Sequence, residues 1–198
     1  MSKKAVDVVL LPEERITTEA IKANTRLIEK FGKEIVLDAA DCLPHISLAM
    51  GCIDESDIAD MEKILKQIAK RYPLRELRIT ELEVSTNAIG EKVSSFKLQK
   101  TDRLQSLHEE VMRALVPFFK YEVTDDMLFG GKIDLSTLFW IREYRDKSSF
   151  SHFSPHITIG YGQAEAISPP GEFTASSLAL CHLGNHCTCR DVLISIPI

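Results

Sequence analysis

Two short stretches of the chain pair an imidazole with a hydroxyl in the same way. LPHISLAMG occupies residues 43–51 and SPHITIGYG residues 154–162. Both read Pro-His-Ile-(Ser/Thr)-aliphatic, and Ala49 and Gly51 of the first match Gly160 and Gly162 of the second. On an extended chain, residues two apart share a face and lie roughly 6.6 Å apart, two rises of about 3.3 Å. One phosphate group can therefore touch both His45 and Ser47, or both His156 and Thr158. Imidazole titrates near pH ~6.5, so of two facing copies one can be neutral and the other protonated. That is the requirement for concerted general base and general acid catalysis on a phosphodiester. The two hydroxyls can hydrogen-bond the non-bridging oxygens as charge develops there.

Strands must present these groups. Period-two alternation puts Pro44, Ile46, Leu48 and Met50 on one face and Leu43, His45, Ser47 and Ala49 on the other. In the second stretch Pro155, Ile157, Ile159 and Tyr161 oppose Ser154, His156, Thr158 and Gly160. One face suits a core. On the other, the small residue beyond the hydroxyl leaves room for a ligand.

The surrounding pattern repeats as well. VDVVLLP (6–12) reads as a buried strand, followed by a helix capped at Thr17 or Thr18 and stopped at Gly32. The first histidine strand comes next, then a helix opened by Asp54 or Asp57 and ended before Pro73. ELRITELEVST (76–86) and KVSSFKLQ (92–99) are strands around a turn at Asn87–Gly90. Thr101 caps a helix with Leu104, Leu107, Val111, Leu115 and Phe118 on one side, and His108 on it reads as a surface or boundary residue. STLFWIREY (136–144) can be a short helix or a strand. After the second histidine strand and a turn at Pro169-Pro170-Gly171, SLALCHL and CTCRDVLISI form a hairpin around Gly184-Asn185. Strand, helix, histidine strand thus occurs at 6–50 and again, with an insertion, at 92–161. With no low-complexity linker between them, the two halves are expected to pack as lobes of one domain spanning residues 1–198.

The chain has 198 residues and a formal net charge of -5, which argues against broad non-specific binding to duplex nucleic acid but leaves room for a nucleotide or a short RNA end. No apolar run approaches a membrane span, and the N-terminal residues lack signal-peptide features. The expectation is a cytoplasmic monomer whose five cysteines are free thiols. The tail CHLGNHCTC (181–189) is dense in metal-type ligands, and a two-residue hairpin would put His182, Cys187 and Cys189 on one face. A fourth ligand is missing, so these cysteines read as small buried hydrophobes and no metal or other cofactor is expected. FWIREYRDK (139–147) mixes aromatics with basic residues. Trp140, Arg142 and the nearby Phe153 are candidates for the rim of a cleft, where they could stack bases and hold phosphates. An amphipathic surface helix would give the same pattern.

PHISL and PHITI resemble the paired H-x-(S/T)-x motifs of the 2H phosphoesterase superfamily, which includes the 2′,3′-cyclic phosphodiesterases also known as 2′-5′ RNA ligases. The resemblance implies a bilobal α+β fold, two antiparallel sheets with flanking helices around a central cleft and one motif from each lobe. It implies His45 and His156 as catalytic residues, Ser47 and Thr158 as phosphate-binding hydroxyls, and metal-independent hydrolysis of a 2′,3′-cyclic phosphate to a 2′-phosphate. It also implies a reverse 2′-5′ ligation. The partner would be a nucleotide or RNA end carrying a cyclic phosphate or a 2′-5′ linkage. Gly-Tyr-Gly follows the second motif where some members carry a basic residue. The rival reading is a non-catalytic RNA- or nucleotide-binding module of the same fold.

Overall fold

The computed structural model describes residues 2–32, 34–73, 76–87, 90–165 and 170–198. Residues 88, 89 and 169, and with them parts of the expected turns at Asn87–Gly90 and Pro169–Gly171, lie outside the described residues. In chain order the elements are β1 (Lys3–Pro12), α1 (Glu14–Phe31), β2 (Ile46–Asp54), α2 (Ile58–Arg71), β3 (Leu77–Thr86), β4 (Lys92–Leu98), α3 (Asp102–Leu115), α4 (Leu135–Lys147), β5 (His156–Tyr161), β6 (Glu172–Phe173), β7 (Ala175–Leu183) and β8 (Cys189–Pro197). The strands form two four-stranded antiparallel sheets, ordered β2-β1-β7-β8 and β5-β4-β3-β6. The fold is α+β, with the two histidine motifs on the end strands of different sheets.

Sequence explains most of this. β1 is buried from Ala5 to Leu10 because side chains on both of its faces are packed, Val6, Val8 and Leu10 in the main core and Val9 in a smaller cluster with Ala179, Cys181 and Cys189. α1 starts at Glu14, before the expected Thr17 or Thr18 cap: extended Glu13 precedes it, and the added turn buries Ile16 fully. The Glu13 carboxylate accepts from the Thr174 hydroxyl instead of capping the helix. α3 is capped as expected, with the Thr101 hydroxyl accepting from the Leu104 amide at 3.2 Å. The ambiguous stretch after Gly131 is a helix, α4, resting on Thr137, Ile141 and Tyr144.

The repeat is real, and it is exchanged. The β1-α1-β2 and β4-α3-β5 units occupy equivalent places in their sheets. Yet α1 packs against β5 and α3 against β2, so each helix crosses to the histidine strand of the other unit. One continuous apolar core runs through both sheets and all four helices.

The tail departs from its expected register. The β7–β8 connection spans residues 184–188, so Leu183 pairs with Cys189 and His182 with Asp191. Cys181 and Cys189 form a disulfide, where free thiols were expected; Cys42, Cys52 and Cys187 are free. His182 bonds to the Met127 carbonyl at 3.0 Å, and among the described residues no three metal-type side chains converge.

Because α3 carries a residue that supports the first motif, its cap matters beyond the helix. Thr101→Ala should cost about 0.5–2 kcal/mol, read as a lower midpoint with unchanged slope in urea denaturation.

Candidate active site

The two motifs are built alike down to their irregularities. Pro44 and Pro155, Ile46 and Ile157 are buried, while Ser47 and Thr158 are half-buried. His45 Nδ1 lies 2.8 Å from the Leu43 carbonyl, and His156 Nδ1 lies 2.8 Å from the Ser154 carbonyl. A carbonyl can only accept, so it assigns the ring proton of each neutral imidazole to Nδ1 and leaves the lone pair on Nε2. Both rings are thereby aimed by their own lead-in segment. The Leu43 amide in turn donates to the Cys189 carbonyl at 3.0 Å, fixing that segment to β8.

Each strand then breaks its ladder one residue beyond the hydroxyl. On β2, Ser47 pairs with Val9 and Ala49 with Val8, which leaves Leu48 as a bulge. On β5, Thr158 pairs with Ser95 and Gly160 with Ser94, which leaves Ile159 as the matching bulge. A bulge leaves backbone groups unpaired and resets which face the following residues take. Hence Leu48, Ala49 and Met50 are all buried, contrary to strict alternation.

The carbonyls freed by the bulges are satisfied from across the molecule. His108 on α3 donates from Nδ1 to the Leu48 carbonyl at 2.7 Å, and its Nε2 accepts from the Phe150 amide at 2.7 Å. Asn24 on α1 donates to the Ile159 carbonyl at 2.7 Å and to the Ile35 carbonyl at 2.9 Å, and accepts from the Leu37 amide at 2.9 Å. Both side chains are fully enclosed. Each therefore ties the bulge of one motif to the loop that leads into the other. His108, expected at a surface or boundary, is a core residue. Burial pushes its pKa down to about 4, which keeps it neutral and able to donate and accept at once.

The small residues have a different role from the one expected. Gly160 has φ +152°, and a Cβ there would lie 3.1 Å from Asn24 Nδ2. A Cβ on Gly162 would lie 2.4 Å from the Phe31 ring. The space is taken by α1, not left for a ligand. Phe153 also differs from expectation. It is buried, with its ring stacked on His108 at 4.0 Å and 2°, so it supports the motif from inside instead of lining a rim. Trp140 and Arg142 are exposed on α4, the helix that packs over β2, and Trp140 meets Phe139 edge-on.

The electrostatics separate the histidines. His45 is mostly enclosed, and burial pushes its pKa below the ordinary imidazole range; the charge of nearby His156 pushes it the same way. His156 is exposed. Beneath His45 lies Asp7 of β1, fully buried, with Oδ2 3.9 Å from Nε2. Burial pushes Asp7 up to about 8. Asp7 and Asn24 were not singled out from sequence, and His108 was given no role in the site. The one available signal for the first two was a lone polar residue on an otherwise apolar strand or helix face.

Raising pH stabilises a protein wherever the unfolded chain binds more protons. His108 binds its proton near pH 6.5 when unfolded and near 4 when folded, so its contribution is present above 6.5 and lost as pH falls toward 4. The melting temperature should therefore drop over that window, and the drop should shrink in His108→Gln. Asn24→Leu should cost about 1–3 kcal/mol by orphaning the Ile159 carbonyl, measured by chemical denaturation.

Comparison with known proteins agrees with this architecture. A solved structure of Escherichia coli LigT complexed with phosphate is 15% identical and superposes with a TM-score of 0.51 over 100% of this chain and 98% of that one. The LigT complex with NADP+ gives 16% and 0.52 over 100% and 99%. The TT0787 protein of Thermus thermophilus gives 18% and 0.58 over 98% and 97%. At these identities the likeness is one of fold. No curated protein sequence matches. The family model of the 2′-5′ RNA ligase superfamily matches residues 19–184, a span that includes both histidine motifs, and the chain belongs to that superfamily.

Proposed function

We propose that the protein is a metal-independent phosphodiesterase that opens a 2′,3′-cyclic phosphate, on a nucleotide or an RNA end, to a 2′-phosphate. The observation that carries this reading is the duplicated His-x-(Ser/Thr) unit, with both imidazoles bonded at Nδ1 to their own lead-in carbonyl and both Nε2 atoms left for proton transfer. The two rings are near enough for the charge of one to oppose that of the other. A cyclic phosphate seated between them meets one histidine on the side of the attacking water and the other on the side of the departing ribose oxygen. The first takes the water proton, oxygen attacks phosphorus, the bond to the 3′ oxygen breaks, and the second supplies the proton that oxygen needs. Ser47 and Thr158 hold the non-bridging oxygens. Trp140 and Arg142, exposed on the helix that packs on β2, would meet a base or a flanking phosphate. Proteins of this fold have been solved holding phosphate and NADP+, which supports a phosphate-bearing ligand. With a 5′-hydroxyl in place of the attacking water, the same displacement on the cyclic phosphate, the 3′ oxygen leaving, would give a 2′-5′ linkage.

His45→Ala and His156→Ala should each lower kcat on a 2′,3′-cyclic nucleotide by about 10²–10⁴-fold while remaining folded, and Ser47→Ala and Thr158→Ala by less. Activity should survive chelators, and phosphorus NMR should show a 2′-phosphate. Tight binding with no turnover across cyclic nucleotides, 2′-5′ oligonucleotides and RNA ends would favour the non-catalytic binding module.

A further inference from the structure

The matched surroundings of the two motifs differ at one informative place. Met50 and Tyr161 are equivalent by register, and their partners on the neighbouring strands are Asp7 and Val93. A carboxyl therefore lies near His45, and the register position equivalent to it in the second unit holds Val93. Asp7 is fully enclosed, and neither of its oxygens makes a hydrogen bond among the described residues. The Ser47 hydroxyl and the Ala49 amide favour its charged form, but less than burial opposes it. Tyr144 of α4 and Cys187 of the β7–β8 connection face it, and burial together with the charge of Asp7 raises both, Cys187 to about 12. Cys181, opposite on β7, is tied up in the disulfide. His45 is thus the partner with which Asp7 can exchange a proton near neutral pH.

Building on the phosphodiesterase reading, we propose that Asp7 is a positioning residue acting through His45: the two share one proton, stored on the carboxyl and delivered by Nε2, which makes His45 the acid and His156 the base. At rest the proton is on Asp7 and Nε2 is bare. An anionic phosphate set against Nε2 and Ser47 stabilises the imidazolium, and the proton crosses from Oδ2 to Nε2, leaving a carboxylate. The 3.9 Å gap must close by about an ångström, as distances of this kind do once substrate is bound. Exposed His156 takes the proton of the attacking water, the bond from phosphorus to the 3′ oxygen breaks, and Nε2 gives its proton to that oxygen. His156 then releases its proton to solvent, and one proton from solvent refills Asp7 through His45. Burial arranges the resting distribution, since it raises Asp7 to about 8 and lowers His45.

The test is the pH dependence of kcat in the wild type and in Asp7→Asn, with a 2′,3′-cyclic nucleotide as substrate. The wild-type alkaline limb should follow the store, near pH 8. In Asp7→Asn, His45 alone must hold the proton, so the limb should move down by at least about one pH unit, with activity recovering toward the wild-type level in acid. An unmoved limb, or one moved upward, overturns the proposal. Proton NMR of the His45 ring needs no turnover and so separates failure here from failure of the phosphodiesterase reading. The wild-type resonance should respond near pH 8, and that of Asp7→Asn only below the ordinary imidazole range. Identical titrations overturn the shared proton. If the variant does not fold, the absence of a wild-type response near pH 8 does the same.

Discussion

Two backbone carbonyls, those of Leu48 and Ile159, lie in the core without ladder partners, and the geometry of the site depends on how each is satisfied. A buried carbonyl left unpaired is costly, so the bulges persist only because a donor reaches each of them. The donors are not local. His108 comes from the helix of the second unit to the strand of the first, and Asn24 makes the reverse crossing. Each side chain also holds the loop that feeds the motif of its own unit, through the Phe150 amide and through Ile35 and Leu37. The two histidines are positioned relative to one another by side chains that touch neither.

This explains why some of the site could be read from sequence and some could not. His45, Ser47, His156 and Thr158 stand out as candidates because duplication at matched offsets is a strong signal. The strand-helix-strand order follows from apolar periodicity, and Thr101 from its place before an apolar stripe. A bulge has no such signature. It depends on register between strands far apart in the chain, so simple alternation breaks down just past each hydroxyl. Gly160 was read as space for a ligand because nothing in the sequence says that Asn24 fills it. His108 and Phe153 misled for a related reason, since a polar or aromatic residue at a helix or strand boundary looks alike whether it faces water or the core.

Symmetry is kept where geometry must be equal and given up where chemistry must differ. Imidazole, hydroxyl, bulge and crossing donor are all present twice. Enclosure is not: His45 is mostly buried and His156 exposed. Two identical sites can share one proton but do not fix which of them holds it, so a reaction needing a defined acid and a defined base at once distinguishes them through their surroundings.

The exchange of strands between the units also bears on how the chain reaches this state. β3 follows the β1-α1-β2 unit in the chain but pairs with β4 in the other sheet, and β7 follows the β4-α3-β5 unit but pairs with β1. The N-terminal strand thus waits for a neighbour near the far end of the chain, in a register that joins Val6 to His182. Pairings this distant in sequence close large loops and form late. On a ribosome the β3–β4 hairpin can assemble early, while the first sheet stays open until the last strands emerge. One unit alone would carry a sheet edge that only a second copy could fill, so the single chain has the topology of a strand-swapped dimer.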